Sequence, residues 1–63
     1  MKKLIDRYNY FLEEDKKGSY HNPYDYDNEM MNLLEESGLE YECKEWLEWE
    51  DKIHDLGMEF WQM

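Results

Sequence analysis

The chain has 63 residues, 17 of them Asp or Glu and seven Lys or Arg, giving a formal net charge of −10. One domain over residues 1–63 is the most this length supports, and a chain so short buries only about 60% of its unfolded surface. Six Tyr, three Trp and two Phe compensate with large buried areas per residue, a composition that separates the chain from acidic disordered tails.

The charge is unevenly placed. Residues 1–17 hold five Lys/Arg against Asp6, Glu13, Glu14 and Asp15, net +1. Residues 18–63 hold thirteen carboxylates against Lys44 and Lys52, net −11. Such a field repels phosphate backbones and anionic membranes and attracts basic protein surfaces, so neither direct nucleic-acid binding nor membrane binding is expected. No run approaches the ~20 apolar residues of a membrane span, and the basic segment Met1–Arg7 lacks a signal-peptide core. Cys43 is the single cysteine, which suits a reducing cytoplasm.

In chain order, the first predicted element is a helix over residues 3–16. Leu4, Ile5, Tyr8, Phe11 and Leu12 share one face, Lys16-Lys17 suit the helix dipole and Gly18 suits the C-terminal cap. Residues 19–26, Ser-Tyr-His-Asn-Pro-Tyr-Asp-Tyr, read as a loop. A second helix follows over residues 27–37, capped by Asp25 or Asp27, with Met30, Leu33 and Leu34 on one face and Ser37-Gly38 at its end. The third helix is the longest. Leu39, Cys43, Trp46, Trp49, Ile53, Leu56 and Phe60 recur at steps of three and four over about twenty residues. Alternation in residues 39–43 also allows a short strand or extended segment there, and Gly57 allows an early helix end. The expected fold is all-α, a small three-helix bundle with Leu4, Tyr8, Phe11, Leu34, Trp46, Trp49, Ile53 and Phe60 as its core.

Catalytic motifs are scarce. There is no glycine-rich phosphate loop, no Cys-x-x-Cys and no His-Glu-x-x-His. Asp51 or Glu50 with His54 has the helical spacing of a metal pair, but a solvated histidine on an acidic helix explains the same residues. Cys43 with His54 lacks the third member of a nucleophile triad. The expectation is a non-enzymatic protein with no cofactor and no bound metal, a carboxylate-rich metal-binding protein being a lesser alternative.

Two constellations remain. Glu48, Asp51, Asp55 and Glu59 lie opposite the apolar stripe of the third helix, and Glu40 and Glu45 extend that run; a purely solvated face usually interleaves both signs. The second is the tyrosine-rich loop, in which Tyr24 and Tyr26 either contact a partner or close the bundle's end. Trp61, in the apolar end Met58–Met63, either closes the core or forms a docking patch or homodimer contact, core closure being favoured.

In size, net charge and the run of acids from Glu35 to Glu59, the chain resembles in kind the small acidic proteins that phages and mobile elements direct against host machinery, anti-CRISPR inhibitors and DNA-mimic anti-restriction proteins among them. The resemblance implies an inhibitor in the host cytoplasm. It would fill the cationic nucleic-acid channel of a nuclease or Cas effector and exclude DNA. The non-acidic residues 1–17 depart from it and make such mimicry one-sided. A regulatory module binding a host protein through the aromatic loop is the alternative.

Overall fold

A computed structural model describes residues 1–62. Three α-helices follow one another: α1 Lys2–Lys16, α2 Pro23–Glu36 and α3 Lys44–Trp61. Every pair of helices is in contact, α2 with α3 most extensively. The all-α expectation holds, with no strand among the described residues.

α1 ends where the sequence places its end. Gly18 has φ +77. Its N–H donates to the Asp15 carbonyl while the Ser19 N–H donates to the Glu14 carbonyl. This paired closure needs a left-handed residue, and glycine supplies it without a Cβ clash. Of the predicted apolar face, Leu4 and Phe11 are buried, Tyr8 and Leu12 half-buried, and Ile5 lies exposed.

α2 begins four residues earlier than predicted, and its cap is neither Asp25 nor Asp27. Asn22 is the cap: its side-chain oxygen accepts from the backbone N–H of Tyr24 (2.9 Å) and of Asp25 (3.3 Å). Pro23 occupies the first helical position, where its fixed φ fits and its missing N–H has no partner to lose. The Asn-Pro pair that disfavours helix before it is therefore the start signal of the helix after it. The predicted loop 19–26 shrinks accordingly, and both Tyr24 and Tyr26 are helical.

The strand alternative for residues 39–43 is not realised. A turn stands there, closed by the Cys43 N–H donating to the Glu40 carbonyl (3.1 Å), and Glu42 takes a left-handed φ of 59. α3 starts after this turn, with the Cys43 sulfur accepting from the Trp46 N–H (3.4 Å). The apolar periodicity runs on through residues 39–43 because Leu39 and Cys43 pack against the core from the connection rather than from a helix.

The core consists of Leu4 and Phe11 from α1, Tyr26, Met30 and Leu34 from α2, and Trp46, Ile53, Leu56 and Phe60 from α3. Tyr8 and Trp49, assigned to the core by spacing, meet edge to face at its margin (5.5 Å, 84°). Gly57 does not end α3. It is buried mid-helix under the Tyr26 ring, and a Cβ there would stand 3.1 Å from Tyr26 Cε1. The absent side chain lets α2 approach α3 closely, and the Tyr26 hydroxyl donates to the Ile53 carbonyl (2.7 Å) across that contact.

Candidate functional site

Two surfaces of α3 lie outside the core, and each has its own chemistry. The first is the acidic face. Glu45, Glu48, Asp51, Asp55 and Glu59 are all exposed. At about 1.5 Å rise per residue, Glu48 to Glu59 spans about 16 Å along the helix axis, with neighbouring acids about 4.5–6 Å apart. Glu40 is exposed but belongs to the turn before α3, so it does not continue the helical row.

None of these six carboxylates pairs with a cation within 4.0 Å among the described residues, where the ion pairs are Arg7–Glu29, Lys16–Glu13 and Lys17–Glu14, and where His21 lies beside Glu14 and His54 beside Asp27. Lys52, close to this row in sequence, instead sets its ammonium over the Trp49 ring (4.8 Å). The cation–π contact draws the lysine toward the flank of the helix. The acidic face also reaches the interior electrically: burial, followed by the nearby Asp55 charge, raises the pKa of the half-buried Tyr8 phenol.

The second surface is a groove of about 340 Å³ between the start of α2 and the end of α3. His54, Met58 and Trp61 recur along α3 at steps of four and three, a stripe separate from the core positions, and face Tyr24 and Asp27 on α2. Tyr24 is 65% exposed, Trp61 59% and Met58 57%. The Tyr24 and Trp61 rings meet edge to face, with centroids 4.9 Å apart and planes at 79°. Trp61 therefore does not close the core, contrary to expectation; Phe60, its neighbour, does. The pair of predicted contact tyrosines also divides. Tyr26 is 2% exposed, a core residue that cannot meet a partner, while Tyr24 faces solvent. A loop over residues 19–26 hides this groove, because only a helix that starts at Pro23 builds it. Placing Pro23 at the first helical position would have put Tyr24 and Asp27 on one side of α2.

The chemical options are narrow. Cys43 caps α3, and His54 stands eleven residues further along the same helix, about 16 Å away by rise, so they form no nucleophile–base pair. His54 places Nδ1 3.8 Å from an Asp27 carboxylate oxygen, on α2 rather than on its own helix. Among the described residues no three His, Cys, Asp or Glu side chains converge as a metal site. No described helix is long and apolar enough to cross a membrane. Comparison with known protein families, with curated proteins and with solved structures finds no match to this chain.

Proposed function

We propose that the protein is a non-enzymatic inhibitor that lays the acidic face of α3 in the cationic nucleic-acid groove of a nuclease or other DNA- or RNA-handling protein, of the kind countered by anti-CRISPR and anti-restriction proteins. The observation that carries this reading is the unpaired row of exposed carboxylates on one rigid helix. Its axial spacing is of the same order as the ~3.4 Å rise between phosphates along a DNA strand. Asp51/Asp55 and Asp55/Glu59 are like-charge i, i+4 pairs, which each cost a helix a few tenths of a kcal/mol.

The test is displacement of a labelled duplex from purified Cas effectors and restriction nucleases. The parent protein should displace the duplex from its target, with an affinity that falls steeply as salt rises. The variant with Glu48, Asp51, Asp55 and Glu59 all changed to Lys should lose displacement by a hundredfold or more, since like charge across an interface costs several kcal/mol. Equal displacement by parent and variant would sink this function.

A second reading, a regulatory module that binds its partner through aromatics, draws on the exposure of Tyr24, Met58 and Trp61. Binding that barely responds to salt but fails in Tyr24→Ala would select it.

A further inference from the structure

We propose that the groove between the start of α2 and the end of α3 is a docking pocket for one arginine side chain of a basic partner protein. It lies on a different side of α3 from the acidic row and does not require the partner to be a nucleic-acid enzyme.

The chain contains a filled example of the arrangement. Arg7 sets its guanidinium over the Tyr10 ring (4.5 Å) and the Phe11 ring (4.8 Å), which themselves meet edge to face (5.2 Å, 70°), and it pairs with the Glu29 carboxylate of α2. Two angled aromatic rings plus a carboxylate thus hold a guanidinium. The groove repeats the same three parts. Tyr24 and Trp61 meet edge to face at 4.9 Å and 79°, and Asp27, also on α2, borders the same cavity. No lysine or arginine pairs with the Asp27 carboxylate within 4.0 Å among the described residues; its one basic neighbour in that range is the exposed His54 imidazole (3.8 Å).

None of the chain's seven Lys and Arg lines this groove. The volume of about 340 Å³ accommodates a side chain, with Met58 and the floor at Gly57 receiving its aliphatic stem. Charge selects the occupant. Residues 18–63 carry −11, so an incoming cation is drawn to this half of the molecule. A second copy of the chain, at −10, is repelled, and its one arginine is already held between Tyr10, Phe11 and Glu29.

The probes are the capped tripeptide acetyl-Gly-Arg-Gly-amide and its citrulline counterpart, which keeps shape and hydrogen bonds but lacks the charge. The readout is the indole N–H resonance of Trp61 in the full chain, assigned with Trp61→Phe. The arginine peptide should shift this resonance saturably, and the citrulline peptide should bind at least about fivefold more weakly, the size of one cation–π or carboxylate contact. Asp27→Asn should weaken the arginine peptide by a similar factor. Tyr24→Leu should weaken it too, at a site so exposed that the fold stays intact. Equal binding of both peptides would show an apolar groove without cation preference and overturn the proposal. So would shifts confined to Asp51, Asp55 and Glu59, the absence of any saturable shift, or self-association that Trp61→Phe dissolves.

Discussion

Charges are handled in opposite ways on the two sides of this small bundle. Around α1 several of them are paired. Arg7 reaches Glu29 across the helix contact, Lys16 and Lys17 sit beside Glu13 and Glu14, and Glu14 also meets His21 Nε2 (3.1 Å). On the outer side of α3 the exposed carboxylates have no such partners among the described residues, and Lys52 lies over an indole ring instead. Exposed ion pairs contribute only ~0–1 kcal/mol each, so the difference is small as a matter of stability. It is large as a matter of availability. The Arg7–Glu29 pair helps to dock α1 on α2 and the lysine pairs stay within the end of α1, whereas the carboxylates on α3 remain open to an external cation. Stability should therefore depend on the inward side of α3, and binding on the outward side.

Ile53→Ala should break that division most visibly. Ile53 is fully buried, and its carbonyl accepts from Tyr26. Truncation should cost ~2–5 kcal/mol, enough to unfold a domain of this size. Thermal melts followed by circular dichroism read it directly. The fourfold lysine variant should do the opposite, keeping the helical fold because it touches no core residue while abolishing displacement of nucleic acid. If Ile53→Ala melts within a few degrees of the parent, the inward side of α3 is misassigned.

How much of this was legible in the sequence follows from what periodicity can encode. The α3 stripe was readable because Trp46, Ile53, Leu56 and Phe60 repeat at helical steps, and all four are buried. The acidic row was readable as the complement of that stripe. What failed was local. Asn22-Pro23 has the same composition whether it closes a loop or opens a helix, and only the Asn22 cap bonds to Tyr24 and Asp25 decide between them. Gly57 reads as a helix stop until a ring from another helix is found lying on it. The Tyr24–Trp61 groove joins residues 37 positions apart, and no local pattern reports such a meeting.

Alkaline pH should sharpen the contrast between the interior and the outer face. Burial first, then the neighbouring Tyr8 and Asp27, push the pKa of the Tyr26 phenol far above its ordinary value of about 10. A raised folded-state pKa gives stability that is fully present below the unfolded value and is lost as pH climbs past it. Unfolding free energy should thus fall progressively above about pH 10. Tyr26→Phe should flatten this alkaline loss, at a cost of about 1 kcal/mol at neutral pH for the hydrogen bond to Ile53. Urea titrations at several pH values measure both. A parallel alkaline loss in Tyr26→Phe would mean that other phenols carry it.

Gly57→Ala should have a smaller effect. Alanine gains about 1 kcal/mol of helix propensity over glycine. Its Cβ, however, would press on a Tyr26 ring that has no room to retreat, being fully buried, bonded to Ile53 and wedged against Phe11 (4.9 Å) and Phe60 (5.2 Å). Overpacking of ~1–3 kcal/mol outweighs the propensity gain, for a net destabilisation of about 1 kcal/mol. Combined with Tyr26→Leu, the same substitution should turn stabilising, and a chemical-denaturation cycle reads the change of sign.

The smallest effect belongs to Glu42, and it bears directly on whether charge placement or charge total governs binding. Its φ of 59 puts a side-chain-bearing residue in the left-handed region, at the third position of the turn closed by Cys43 and Glu40, where glycine or asparagine is ordinarily favoured. Left-handed geometry costs such a residue ~1–2 kcal/mol, and Glu42→Gly recovers this against the ~0.5–1 kcal/mol of extra chain entropy that glycine loses on folding. The net gain should be about 0.5 kcal/mol, a rise in melting temperature of ~2–4 °C for a domain of this size. Glu42→Gly also removes one negative charge from outside the α3 row, whereas Asp55→Asn removes one from within it. Both variants carry the same net charge. If placement matters, Glu42→Gly should bind the target almost as the parent does, and Asp55→Asn should bind severalfold more weakly with a shallower salt dependence. Equal weakening of the two would mean that the partner responds to the overall field of the molecule, and that the ordering of carboxylates along α3 has no part in recognition.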